Sequence, residues 1–129
     1  MSKEIVNLYW FKRDLRLIDN VPLQMSCDDE YPTLLFYLFE PELIKDEHYS
    51  NRHWDFIKES IIDLNYSLKS YKTKVHTYDL DIITFLKKIS ENFKINKIFS
   101  HTETGLSNSY KRDLKTIDFC KKNNIKWIE

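Results

Sequence analysis

Five charged residues, Lys12, Arg13, Asp14, Arg16 and Asp19, fall within eight positions, interleaved with Leu15, Leu17 and Ile18. Two arginines in such a loop can clamp an acidic group through paired N–H donors. Alternatively, Arg13 or Arg16 pairs with Asp14 or Asp19 and ties the loop down. A second cluster, His48, Arg52 and His53, lies where a long amphipathic segment begins. A helix N-terminus attracts anions. Arg52 and His53 therefore either hold a phosphate or carboxylate, or are solvent-facing residues of a first turn. A third, His101, Glu103 and Thr104, can hydrogen-bond a polar heterocycle or cap local N–H groups. Lys111, Arg112, Lys115, Lys121 and Lys122 give the last helix a basic side, which reads as a solvated face.

Other chemistries are excluded. The chain has one glycine, Gly105, and phosphate-cradling loops need several for positive φ and close backbone approach. His-x-x-x-His helices, Cys-x-x-Cys pairs and Gly-x-Ser-x-Gly elbows are absent, and Cys27 and Cys120 have no metal-ligand spacing. Both cysteines read as core or helix-face residues. Lys plus Arg equals Asp plus Glu at 20 each, which argues against this chain alone being a strong nucleic-acid binder. With 42% hydrophobic and 15% aromatic residues the chain has the material for a packed core. It carries no signal peptide and no apolar run of membrane-spanning length, so a cytoplasmic, reducing location is expected, with no membrane contact.

The elements that must position these clusters follow from periodicity. Ile5–Phe11 reads as a buried strand. Asn20 is a good N-cap and Pro22 a tolerated early helical residue, so a short helix runs from about Asn20 to Cys27. Thr33–Phe39 is a near-continuous apolar run suited to a parallel strand covered on both faces. Glu40-Pro41 stops it, and a polar connection follows from Glu42 to Asn51. Trp54, Ile57, Ile61, Leu64 and Leu68 recur at three and four and predict a helix over about Asn51–Tyr71. Lys74–Tyr78 is a strand. Asp79 or Asp81 caps a helix with the stripe Ile82, Leu86, Ile89 and Phe93. Lys97–His101 is a strand. The last helix runs from about Ser107 to Asn123 on the stripe Tyr110, Leu114, Ile117 and Cys120, and Lys126–Ile128 is the last strand.

Strands alternate with helices throughout. That predicts an α/β fold: a five-stranded parallel, doubly wound (Rossmann-like) sheet with helices on both faces and right-handed crossovers. Strand order 3-2-1-4-5 puts the switch point between strands one and four, where loops 12–19 and 102–108 face each other across one crevice. The chain ends inside its last strand, at Ile128-Glu129, and reads as an excised piece of a longer protein.

Trp10-Phe11-Lys12-Arg13-Asp14-Leu15-Arg16-Leu17-Ile18-Asp19-Asn20 resembles the opening signature of the DNA photolyase/cryptochrome family, Trp-Phe-Arg-x-Asp-Leu-Arg-x-x-Asp-Asn followed by a helix. Leu34–Pro41 resembles that family's second strand. Ser50–Ile57 resembles the start of its long second helix. Ser100–Gly105 with Tyr110-Lys111-Arg112-Asp113 resembles its fourth strand and the Arg-Asp helix after it. The resemblance covers essentially the whole chain in the right order.

It implies an N-terminal α/β domain over residues 1–129, followed in the parent by a larger helical C-terminal domain absent from this chain. The family holds FAD in that helical domain and an antenna (a folate, a deazaflavin or a flavin) at the α/β domain. Photolyases use light to split pyrimidine dimers in damaged DNA. Cryptochromes signal blue light instead. Carried over residue by residue, Phe11, Lys12, Arg13 and Asp14 match the loop bordering the antenna pocket, Arg52 the helix-start arginine, and Glu103 the carboxylate near the antenna ring. Lys12 replaces a commoner arginine or glutamine. No catalytic residue is expected in this chain, and by itself it should be inactive. A photolyase parent is the leading reading. The alternatives are a cryptochrome-like photoreceptor and a free-standing nucleotide-binding α/β module. Loop 12–19 and parts of the first helix should face the missing domain and leave an apolar patch, which dimerisation of the isolated domain would cover.

Overall fold

The run Ile-Val-Asn-Leu-Tyr-Trp-Phe forms the centre of the molecule as β1 (Glu4–Phe11). In the computed structural model, residues 3–12, 15–17, 20–45, 50–101 and 107–129 are described, with backbone alone for 107–109. Side chains of a strand alternate between its faces. Tyr9 and Phe11 therefore enter one core, and Leu8 and Trp10 the other. β1 is flanked by β2 (Thr33–Leu38) and β4 (Phe93–Phe99), with β3 (Val75–Tyr78) and β5 (Lys126–Ile128) outside them. The order is β3-β2-β1-β4-β5 and every pairing is parallel, as the alternation of elements requires.

The helices divide between the two faces. α1 (Val21–Asp28), the one-turn α2 (Pro41–Ile44) and α3 (Asn51–Leu68) pack Leu23, Leu43 and the Trp54–Leu68 stripe against Tyr9, Phe11 and Leu35. α4 (Ile82–Ser90) and α5 (Ser107–Lys122) pack Ile82, Phe85, Leu86 and Cys120 against Leu8, Trp10, Phe36 and Ile98. Short polar side chains start three helices by accepting from backbone N–H groups: Asn20 from Leu23, Ser50 from His53 and Asp81 from Thr84. Among the described residues no helix is long and apolar enough to cross a membrane.

Three details depart from the periodicity reading. Phe93 was expected on a helical stripe, yet α4 closes at Ser90 and Phe93 opens β4, so this strand starts four residues before Lys97. Phe93 is in helical register with Ile82, Leu86 and Ile89, but also in strand register with Ile95. The N–H groups of Glu91 and Asn92 turn back to Lys88 and Ile89 and end the helix between them. The polar connection after Glu40 contains the single turn α2, which Pro41 initiates.

The third departure is α5. The stripe Tyr110, Leu114, Ile117 and Cys120 was expected inside, but only Cys120 is buried. Tyr110 is 67%, Leu114 49% and Ile117 40% exposed. The residues turned inward are Arg112 and Thr116, with Phe119 partly buried. Arg112 therefore does not belong to a solvated basic face. Its partners lie at the ends of the strands.

Candidate functional site

The connections after β1 and β4 lead to helices on opposite faces, so the sheet opens between these strands at their C-terminal ends. Asn20 closes the floor of that opening. Its Oδ1 accepts from Leu23 N–H at 3.2 Å, from the Tyr9 hydroxyl at 2.9 Å and from His101 Nε2 at 2.8 Å. Its Nδ2 donates to the Arg16 carbonyl at 3.0 Å. The backbone N–H of Leu23 can only donate, which fixes the orientation of the amide. A carboxamide oxygen can only accept, so His101 carries a proton on Nε2. Residues 81 apart in sequence are thereby joined, and the chain after β1 is held against the end of β4.

Beside this hub, charge is buried. Lys12 follows β1, Glu40 follows β2, Glu129 follows β5, and Arg112 and Asp113 lie near the start of α5. Arg112 Nη1 donates to Glu40 Oε2 at 2.8 Å, and its Nε donates to Asp113 Oδ1 at 3.1 Å. Lys12 Nζ is 3.6 Å from Asp113 and 3.5 Å from Glu129. Lys12, Glu40 and Arg112 are only 6%, 5% and 9% exposed. Removing such groups from water is costly unless each meets opposite charge. Aromatic faces supplement the ion pairs. Lys12 Nζ lies 4.5 Å from the Trp10 ring and 5.0 Å from that of Trp127, and the Arg112 guanidinium lies 4.7 Å from Trp10. Trp10 and Trp127 stack at 6.0 Å, and Trp127 Nε1 donates to Ser100 Oγ at 2.8 Å.

A cavity of about 200 Å³ opens here, with Phe11, Lys12, Glu40, His53, Trp54 and Arg112 among its walls. Aromatic surface beside fixed charges suits the flat body and polar edge of a heterocycle. A larger groove of about 1000 Å³ lies between α1 and α3, with Leu15, Leu17, Leu23, Leu35 and Leu64 along it. Leu15 and Leu17 are partly buried there against the core. The smaller cavity is the better chemical site, because the buried charges and indoles converge on it. At the opposite end of the sheet, Asp29 accepts from Asn7 at 2.9 Å and Lys97 at 2.6 Å. The Lys97 and Asn7 hydrogen bonds hold its carboxyl down at about 2. Burial pushes the Cys120 thiol up to about 11, so it stays protonated as a core residue, while Cys27 is exposed on α1.

Of the residues expected at the site, Phe11 and Lys12 line the cavity. Arg52 is exposed on the first turn of α3, and its neighbour His53 reaches the cavity instead. Arg13, Asp14 and Glu103 lie outside the described residues, as does His48. Sequence reasoning missed Glu40, Arg112, Trp127 and Glu129. The signal for Glu40 was its place between an apolar strand and a proline. Arg112 gave a misleading one, since it sits among exposed lysines.

Fold and site together define a doubly wound α/β domain with a charged, aromatic cavity at the C-terminal ends of β1 and β2, next to the β1–β4 switch point and not in it. The family model for DNA photolyase matches residues 7–129, and the chain belongs to that family. It is 23% identical over 110 residues to a deoxyribodipyrimidine photo-lyase of Buchnera aphidicola subsp. Acyrthosiphon pisum (strain APS), covering 81% of this chain and 23% of the relative. It is 25% identical over 105 residues to a chloroplastic/mitochondrial cryptochrome DASH of Arabidopsis thaliana, covering 77% of this chain and 18% of the relative. The fold matches an archaeal photolyase from Sulfolobus tokodaii at TM-score 0.80 and 23% identity, over 95% of this chain and 28% of that one. That protein was crystallised with two FAD molecules, with the implication of a novel light-harvesting cofactor. The chain thus spans between 18% and 28% of the length of these relatives. Family membership favours the photolyase reading over that of a nucleotide-binding module from another family.

Proposed function

We propose that this chain is the antenna-side N-terminal domain of a deoxyribodipyrimidine photolyase. In the full-length protein, FAD in a C-terminal helical domain performs the light-driven repair of pyrimidine dimers in DNA. Residues 1–129 alone hold neither the flavin nor the lesion and are inactive. The observation that carries the reading is the crevice at the C-terminal ends of β1 and β2, where Lys12, Glu40 and Arg112 meet Phe11 and Trp54 around the cavity. A bound antenna (a folate, a deazaflavin or a flavin) supplies light absorption and passes its excitation to the FAD.

The residues present fit such a group. Aromatic side chains face a flat ring, and buried charges face its polar edge. The described part of the crevice is smaller than a typical ligand pocket of roughly 300–1,000 Å³. We assign Arg13, Asp14, Arg52 and Glu103 to the same site as further antenna-contacting residues, on the family resemblance of the segments that carry them. In this scheme Lys12 and Arg112 hold fixed positive charge and the indoles exclude water. Repair is preferred to blue-light signalling because the family model and the structural neighbour are both photolyases.

The test is made on the full-length protein. Arg13→Ala and Glu103→Ala should each lower the absorbance of the second chromophore relative to FAD while leaving the melting temperature unchanged. Unchanged occupancy would remove these residues from the site. Failure of the parental protein to restore dimer-containing DNA under blue light would remove the repair function.

A further inference from the structure

The zero net charge of the chain conceals a division. Residues 1–81 carry 10 Lys and Arg against 15 Asp and Glu, whereas residues 82–129, from α4 onward, carry 10 against 5. Such asymmetry between two parts of a chain marks a surface for a charged partner. α4 and α5 gather much of the positive excess. Between them runs a groove of about 600 Å³. Ile83 and Phe119, both partly buried, form its floor, and Lys87, Lys115 and Lys122 stand along it. Asp118 is the one carboxylate there among the described residues, 3.0 Å from Lys122 in a well-exposed pair. Lys88, Lys111 and Lys121 are exposed on the same two helices. None of Lys87, Lys88, Lys111, Lys115 and Lys121 meets a carboxylate among the described residues. The helix dipoles account for part of this, because Lys87, Lys88, Lys121 and Lys122 lie in last turns, where positive charge is favourable. They do not account for Lys111 and Lys115, which lie in the first half of α5 and repel each other across one turn.

We infer that the α4–α5 groove binds the sugar–phosphate backbone of duplex DNA, as a contact additional to the one that receives the lesion. Lys111, Lys115 and Lys122 are spaced at four and seven and so form one row along α5. At about 1.5 Å per residue the row is ~16 Å long, the axial length of about five nucleotides of one DNA strand. Lysine presents a point charge without a directional fork, which suits a line of phosphates whose sequence is not read. Ile83 and Phe119 are already packed into the core, so the groove gives a peptide little apolar anchorage. What it gives is positive charge in a line. The inference rests on the photolyase reading, which brings DNA to the protein.

The test reads the salt dependence of DNA binding. The full-length protein and its Lys111→Ala/Lys115→Ala variant are titrated in the dark with a long duplex carrying a central pyrimidine dimer, and with one trimmed close to the lesion. Each phosphate contact adds about 0.9 to the slope of log affinity against log salt. On the long duplex the variant should therefore lose about 2 from the slope and bind roughly tenfold more weakly at low salt. On the trimmed duplex the two proteins should agree. Lys111→Arg/Lys115→Arg keeps the charge and should keep the slope. Lys69→Ala/Lys72→Ala removes the same charge beyond the end of α3, on the other side of the sheet, and should change neither slope. All four lysines are exposed, so these variants should fold. Equal slopes and affinities for the parent and the Lys111→Ala/Lys115→Ala variant would overturn the inference. So would an equal loss in the Lys69→Ala/Lys72→Ala control, because net charge would then be the cause. So would weakened binding of polyglutamate with DNA binding unchanged, because the groove would then serve an acidic polypeptide. Dimer repair under blue light reports separately on the photolyase reading. A protein that repairs dimers while its variant keeps the slope sinks this inference alone, and one that neither binds nor repairs dimer-containing DNA sinks both.

Discussion

α3 and α5 share one sequence rule and obey it in opposite ways. Both carry apolar residues at intervals of three and four. In α3 the stripe Trp54, Ile57, Ile61, Leu64 and Leu68 is buried to 8% exposure or less. In α5 the stripe Tyr110, Leu114 and Ile117 faces out, while Arg112 and Thr116 face in. The difference lies in what each helix covers. α3 lies over the apolar side chains of β2 and β3, so its best partner is more hydrocarbon. The start of α5 lies over the strand ends, where Glu40 and Lys12 are buried and need counter-charge. Arg112 answers Glu40, Asp113 answers Lys12, and Thr116 Oγ1 donates to the Arg112 carbonyl at 2.9 Å. Periodicity shows which residues share a face. It does not show which way the face points when a buried charge competes for the helix.

Substitutions can break this contrast. The largest effect is expected from Arg112→Ala, which leaves Glu40 buried without its guanidinium. Loss of one partner of a buried pair costs about 3–5 kcal/mol, and urea unfolding should show the midpoint falling accordingly. A loss below about 1 kcal/mol, the size of an exposed pair, would mean that α5 is not held by its charges. Next comes Ile61→Ala in α3. Removing a buried aliphatic side chain costs about 2–5 kcal/mol, and the same unfolding curves would read it.

The Asp29 cluster sharpens the comparison by moving it to the other end of the sheet. Its carboxyl is held at about 2 by hydrogen bonds from Lys97 and Asn7, against about 3.9 in an unfolded chain. A depressed acid stabilises the fold above the unfolded value and loses that contribution as pH falls. Stability should therefore decline between about pH 4 and about pH 2 in the native chain, and Asp29→Asn should flatten that part of the profile. An unchanged slope would remove the cluster from acid unfolding. The smallest effect belongs to Leu114→Ser in residues 1–129, where an exposed side chain should change stability by no more than about 0.5 kcal/mol. A loss like that of Ile61→Ala would show that the stripe is already covered.

Much of this architecture was legible before any coordinate. Alternating apolar strands and amphipathic helices carried the parallel sheet and its order, because parallel strands require crossovers and crossovers have one hand. Asn20, Ser50 and Asp81 marked helix starts, because short polar side chains satisfy free N–H groups locally. The place of Phe11 and Lys12 at the end of the first strand was legible too, and both line the cavity there. Those features depend on neighbours within a few residues. What only the tertiary structure decided depends on distant partners. Glu40 and Arg112 are 72 apart, and Asn20 and His101 are 81 apart. The burial of Lys12 comes from Trp10, Trp127, Asp113 and Glu129 closing around it, three of them far along the chain. The same helical periodicity permits α5 either orientation. Burial of charge at the strand ends selects one of them, and that selection is an energy between elements, which the local pattern does not contain.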